Sequence, residues 1–279
     1  MLINMDNSYI HTRKPDTHNC ELDTPNCELD THNCELGAHN CESDAHSCES
    51  VTPANESVTK VRAGSQANSV KEHFLAWDNE YSHLRWGGPA SISNLKAYLW
   101  PGSRVLDAGS GNGRYLGELA RHYAAVGVDI SLTALCSSRT QLARSGRFAE
   151  QIRASVHRLP FKARSFDGIL CYGVLQHLFR EERETAVMEF MRVLNDGGFV
   201  FFEAFGSEDM RFGGGFSTPF EKSTFVRQNG LIYHYFTKEE VMVLLKEFEI
   251  IELENVIKEK TFRGEAYKRH MVRGIFRKP

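Results

Sequence analysis

The chain has 279 residues, 41 % hydrophobic and 25 % charged, with 33 Lys/Arg against 36 Asp/Glu and a formal net charge of −3, which suits one large domain with a proper core. No charge-free apolar run approaches the roughly 18 residues that a membrane span needs. Residues 1–14 hold no apolar stretch fit for a secretory signal, so the expectation is a cytoplasmic protein with no membrane contact.

Residues 17–51 are five heptads, THNCELD, TPNCELD, THNCELG, AHNCESD and AHSCESV, so Cys20, Cys27, Cys34, Cys41 and Cys48 recur every seven residues. A coiled coil needs apolar positions three and four apart, whereas here Cys and Leu stand two apart and Leu is lost after Leu36. With so few large apolar side chains the segment does not offset its ordering entropy, and it is expected to be disordered. Its His-x-Cys pairs are soft ligands able to hold zinc or copper(I), but metal sites show irregular loop spacing rather than a perfect repeat, and no metal ligand is assigned. Residues 1–60 take three of the Lys/Arg and eleven of the Asp/Glu, leaving 30 basic and 25 acidic residues in 61–279. The remainder is thus mildly basic. Lys258, Lys260, Lys268, Arg269, Arg273 and Arg277 give it a basic end, read as the solvated face of a terminal hairpin.

Val70, Phe74, Trp77 and Tyr81 have helical spacing, ended by Trp86-Gly87-Gly88-Pro89, with Phe74 and Trp77 expected to pack in the core. A second helix over Ser91–Leu99 leads through Pro101-Gly102 into Val105-Leu106-Asp107-Ala108-Gly109-Ser110-Gly111-Asn112-Gly113. This run reads as a buried strand ending in a tight turn that opens a helix, where glycine lets a ligand approach the backbone and unpaired helix N–H groups offer partial positive charge. It is not a dinucleotide fingerprint, because Arg114 holds the position of the third glycine. Asp107 lies two residues before the first glycine, where a carboxylate meets a cationic ligand group. About twenty residues on, Ala125-Val126-Gly127-Val128-Asp129 closes a second apolar run on an acid, the spacing of a crossover helix and a neighbouring parallel strand whose terminal carboxylate binds ribose hydroxyls.

A helix over Leu132–Ser145, a segment Ile152–Pro160, a strand Phe166–Tyr172 and a turn Gly173–Leu178 follow. The helix Glu181–Leu194 turns at Asp196-Gly197-Gly198 into Phe199–Glu203, expected as the central fifth strand, with Glu203 near the carboxyl edge where parallel sheets bind ligands. Gly206–Tyr235 is long enough to form a lid. Thr237 with Glu240 reads as a capping box starting a helix to Lys246. Cys136 and Cys171 read as small buried hydrophobes.

Asp107–Gly113, Asp129, Leu159-Pro160-Phe161, Ser165-Phe166-Asp167 and Leu194-Asn195-Asp196-Gly197-Gly198 stand in the order and spacing of the class I methyltransferases that use S-adenosylmethionine, and the chain resembles that family from about Phe74 to its C-terminus. The resemblance implies an α/β fold: a Rossmann-like, seven-stranded, mostly parallel sheet with helices on both faces and a C-terminal antiparallel hairpin. It divides the chain into an extension, 1–65, and a methyltransferase domain, 66–279. It implies S-adenosyl-L-methionine as cofactor, held by Asp107, Gly109, Ser110, Gly111, Gly113, Asp129, Ile130, Ser155, Val156, Tyr172 and Trp86, with Tyr81 and Arg85 as further pocket candidates. Many relatives carry an Asp for the adenine amino group where Ser155 and Val156 stand, so adenine recognition here leans on Ser155 or on backbone.

In the family the turn after the fourth strand faces the methyl group, which makes Gln176 and His177 substrate contacts; a helix-start histidine bonded to backbone is the bland alternative for His177. Methyl transfer from a sulfonium needs alignment and exclusion of water rather than a nucleophile. A base helps only an acceptor that is protonated, and His177, Glu203 and His234 are the candidates. Gly111–Leu116, Val174–Leu178 and Tyr233-His234-Tyr235-Phe236 resemble tRNA wobble-uridine methyltransferases and, about equally, small-molecule enzymes. The mild charge favours a small-molecule acceptor, with a tRNA or protein side-chain acceptor as the alternative. From another class comes a metal-binding protein that works through its Cys/His tail.

Overall fold

The computed structural model describes residues 74–83, 90–262 and 264–279; the heptads, Arg85 and Trp86 lie outside them. Residues 74–83 form helix α1. A 3-10 turn, Ser93–Ala97, stands where the second helix was expected, and strand β1 follows, Arg104–Ala108. Next come α2 (Leu116–Leu119), β2 (Ala124–Asp129), α3 (Leu132–Arg144), β3 (Glu150–Arg153) and β4 (Phe166–Tyr172). After these lie α4 (Arg180–Val193), β5 (Leu194–Phe205), the short strands β6 (Phe216–Ser217), β7 (Thr224–Val226) and β8 (Ile232–His234), then α5 (Lys238–Leu244). The chain ends in β9 (Glu249–Phe262) and β10 (Glu265–Arg277).

Seven strands make one sheet in the order β3-β2-β1-β4-β5-β10-β9, parallel from β3 to β5 and antiparallel from β5 to β9. The centre is therefore β4, not β5. Its run Phe-Asp-Gly-Ile-Leu-Cys-Tyr is covered on both faces, as parallel strands are. Leu106, Ala108, Val128, Ile169, Cys171 and Phe202 pack beneath Ala186, Phe190 and Val193 of α4 and Val241 of α5. Val105, Leu170, Phe201 and Ile275 pack on the other face with Leu116, Leu119 and Leu142. Alternation along β1 thus puts Asp107 on the Val105 face, opposite to Leu106 and Ala108.

Several expectations change. The helix opened by the glycine turn is only Leu116–Leu119, because Gly109, Gly111 and Gly113 all hold positive φ and keep the chain in turns. The connection Gly206–Tyr235, expected to form a lid, carries its own three-stranded sheet, β6-β7-β8. Cys136 is exposed on α3, while Cys171 is buried and its thiol is pushed up to about 12 by desolvation. Only half of the capping box forms: Thr237 Oγ1 accepts from Glu240 N at 3.2 Å, while the Glu240 carboxylate turns to Arg183 and His234.

Candidate active site

The carboxyl ends of β1 and β2 bring Asp107 and Asp129 to one rim. Asp107 pairs in register with Gly127, two residues before Asp129. A Cβ on Gly109 would lie 2.5 Å from Val174 Cγ2, on Gly111 2.4 Å from Tyr81 Oη, and on Gly113 2.3 Å from Ser138 Oγ. The turn therefore demands glycine twice over, for backbone conformation and for space. Four amides of the turn itself are engaged. Gly109 N and Ser110 N both donate to Val128 O, at 2.7 and 2.9 Å, Gly113 N donates to Ser110 O, and Gly111 N donates to Asp129 Oδ2 at 2.8 Å. The Ser110 side chain is buried against Gly127. Val174, the Tyr81 hydroxyl and Ser138 pack onto the bare backbone of the turn, and Gly109 of the turn lines the cleft described below.

Asp129 also accepts from Ser131 N at 2.8 Å. Burial raises its carboxyl to about 6 against the lowering effect of those hydrogen bonds. Asp107 is pushed further, to about 8, by burial and then by the charge of Asp129, and its Oδ2 lacks a hydrogen-bond partner. Two buried acids with one orphaned oxygen make an environment that a cation would relieve. Arg114 is exposed and lies over the Tyr115 ring.

Beside this rim runs a cleft, partly open to solvent, lined by Phe74, Trp77 and Tyr81 of α1, Gly109, Asp129, Ile130, Ala154–His157, Gly173, Val174, His177, Leu178 and Glu182. Helix α1 is fastened there. Asp78 Oδ1 accepts from Ser131 Oγ at 2.7 Å and Thr133 N at 3.2 Å, and Arg153 lies 3.3 Å from its other oxygen. Phe74 and Trp77, expected in the core, thus line the cleft, while Tyr81 lies where it was sought. Ser155 Oγ is 2.9 Å from His157 Nδ1, and Val156 is buried.

Of the three candidate bases the structure brings only His177 to the cleft. Its Nδ1 lies 2.7 Å from Ile232 O, which accepts, so the proton sits on Nδ1. Gln176 takes Phe205 N–H on Oε1 at 2.8 Å, and its Nε2 faces His177 Nε2 at 3.1 Å. Trp77 and Tyr233 meet the imidazole edge-on, each at 4.8 Å. His234 lies elsewhere, buried between Glu221 and Thr224, with Nε2 2.8 Å from Glu240 Oε1 but out of line for a hydrogen bond. Arg183, buried, pairs with Glu221 in the same network. Glu203 is held by Arg273 Nε and Nη2 at 3.0 and 2.5 Å. It sits in register with Tyr172, whose hydroxyl accepts from Asn94 Nδ2 at 2.8 Å and is pushed up to about 12 by burial. Glu203 and Tyr172 stand outside the cleft lining, as do Asp107, Ser110, Gly111 and Gly113. Val174, His157 and Asp78 were missed by sequence reasoning; an apolar residue, a lone His and a helical Asp carry no motif.

The methyltransferase-domain family matches residues 106–202. The chain is 37 % identical over 164 residues to a tRNA (carboxymethyluridine(34)-5-O)-methyltransferase of Arabidopsis thaliana, covering 53 % of this chain and 38 % of that protein. It is 33 % identical over 99 residues to a ubiquinone/menaquinone biosynthesis C-methyltransferase of Syntrophotalea carbinolica, covering 34 % of this chain and 40 % of that one. The chain thus spans less than half the length of either relative. A crystal structure of a SAM-dependent methyltransferase from Methanosarcina mazei superposes with a TM-score of 0.57 at 25 % identity, covering 67 % of this chain and 98 % of that one. The matched domain runs from the strand that carries Asp107 through β5, on a sheet ordered β3-β2-β1-β4-β5-β10-β9, so residues 106–202 belong to the methyltransferase-domain family and the chain shares the fold of the S-adenosylmethionine-dependent methyltransferases.

Proposed function

We propose that the protein transfers a methyl group from S-adenosyl-L-methionine to an acceptor in the cleft beneath α1. The observation that carries this is the pair Asp107 and Asp129, buried together beside a glycine turn that a Cβ would obstruct. When bound, the cofactor supplies a methyl group on a sulfonium, open to in-line attack by a lone pair. Asp129 takes the ribose hydroxyls, Asp107 faces the cationic end, and Gly109–Gly113 give backbone contact. Ile130, Ser155 and Val156 flank the adenine, Tyr172 supports the rim from the neighbouring face, and Trp86 stays a candidate outside the described residues. His177, with Gln176 Nε2 donating to its Nε2, lines the acceptor end of the cleft, while Trp77, Tyr81 and Val174 exclude water. Glu203, tied to Arg273, acts by holding β10 on β5, and His234, tied to the Glu221/Glu240 pair, by holding the Gly206–Tyr235 connection.

The mild charge of residues 61–279 supports a small-molecule acceptor. A tRNA acceptor is the second reading, favoured by the similarity to the Arabidopsis thaliana enzyme. Incubation with methyl-labelled cofactor and the separated small-molecule, tRNA and protein fractions of a cell extract decides between them. Label in none of the fractions, together with no calorimetric binding of the cofactor, would overturn the proposal. Residues 66–279 are read as the working domain, so deletion of 1–60 is expected to leave cofactor affinity and turnover intact. Loss of both on deletion would favour the Cys/His tail as the working part.

A further inference from the structure

Strand β9 is the outer strand of the seven, and its 14 residues pair only with β10. Among the described residues, no backbone hydrogen bond reaches its far side. An open edge of this length is a template for another strand. Its charges are sorted by position. From Glu252 onward, Glu252, Glu254, Val256, Lys258 and Lys260 share one face, opposite Ile275, Arg273, Met271, Arg269 and Tyr267 of β10. Two acids stand at one end, two lysines at the other, and a valine between them.

We infer that a second copy of this chain docks on β9, antiparallel, about a two-fold axis through Val256. That register places Glu252 against the partner's Lys260 and Glu254 against the partner's Lys258, each twice. Moving the axis by one residue, to Asn255 or Ile257, leaves half of these pairs. On the opposite face Leu253 meets the partner's Glu259 and Asn255 meets the partner's Ile257, so no like charges face each other. Lys258 also lies directly across from Arg269 within one chain, and like charges at such a position repel. The partner's Glu254 supplies the missing countercharge. Ile257, 49 % exposed, would lose water at the seam.

Charged side chains commonly guard open edges against pairing. A guard of one sign repels a copy of itself; charges divided into opposite halves attract an antiparallel one. The pairing also terminates. Ile251 is an extra residue in β9, where the register with β10 shifts between Ile275 and Phe276; such a bulge bends the edge, and a two-fold contact uses the same strand of both copies, so it closes as a dimer.

Sedimentation of the full chain is expected to show a dimer that dissociates as salt rises from about 0.1 to 1 M, where exposed pairs are screened. Glu252→Lys/Glu254→Lys and Lys258→Glu/Lys260→Glu should each weaken self-association at least about tenfold. An equimolar mixture of the two should form a heterodimer at close to the unsubstituted affinity. Because the first variant also removes the Tyr98 Oη to Glu252 bond of 2.6 Å, Val256→Lys, which puts two ammonium groups on the axis and spares every ion pair, serves as an independent disruptor. A monomeric unsubstituted chain, dimers indifferent to these substitutions, or charge-reversed variants that fail to recombine would each overturn the inference.

Discussion

The Tyr81 hydroxyl stands 2.4 Å from the point where a Cβ on Gly111 would lie, so helix α1 and the glycine turn are fitted to each other at a single atom. Gly111→Ala should weaken cofactor binding at least about tenfold, through this overlap and through a side chain at φ +52. Tyr81→Phe in the same chain removes the nearest atom and should recover part of the loss. The residue left over reports the backbone conformation, and isothermal titration of the two single variants and the double variant separates the two contributions.

The raised carboxyls make stability depend on pH in a stated direction. Asp107 titrates at about 8 in the folded chain and at an ordinary value of roughly 3.9 when unfolded. Its contribution is complete below the unfolded value and is lost as pH rises through the folded one; Asp129, at about 6, acts in the same sense. The ligand-free protein should therefore melt higher near about pH 5 than near about pH 8.5. Asp107→Asn should flatten most of that slope. A bound sulfonium favours the ionised acid, so the melting shift caused by the cofactor should grow with pH, and scanning calorimetry across the range checks both.

His177 joins the cleft to the Gly206–Tyr235 connection through Ile232 O. His177→Ala leaves that buried carbonyl without its donor, at a cost of about 1–3 kcal/mol. At matched folded fraction, turnover should fall at least about tenfold, with cofactor affinity changed less than about twofold. Equal turnover in the folded variant would assign the imidazole to packing alone.

Arg183 is buried against Glu221, and its guanidinium lies over the Phe236 ring at 5.4 Å. Arg183→Ala strands a carboxylate that this cation holds below its ordinary range despite burial, and should destabilise the fold by about 3–5 kcal/mol. Denaturant unfolding measures the loss. Cofactor affinity in the folded fraction should change less than stability does, because the network touches the cleft through the Leu178 carbonyl, which accepts from Arg183 Nη1 at 2.6 Å.

What could be read from residues alone followed the range of each interaction. Phe166–Tyr172 was legible as a strand because a parallel strand covered on both faces is written as a short, mostly apolar run. Ser131 caps α3 from immediately before the helix, accepting from Ala134 N at 3.1 Å. The partners of Glu203 and His234 were not legible. Arg273 is 70 residues from Glu203, and no local pattern separates an acid held by a distant arginine from one waiting for a substrate. Phe74 and Trp77 keep the same helical spacing whether they face a core or a cleft, so only the packed sheet decides. The engaged amides of the glycine turn were hidden too, since their acceptors, Val128 O and Asp129, belong to the next strand.

That hydrogen bonding has a consequence for selectivity. Nucleotides bearing phosphate are usually gathered by unsatisfied amides at a helix start, and here four amides of the bend already point at the protein's own oxygens while two acids wait behind them. Once these acids ionise, ATP or a pyridine dinucleotide would meet repulsion where an adenosyl cation would meet none, so the sign of a nucleoside's tail would decide its entry.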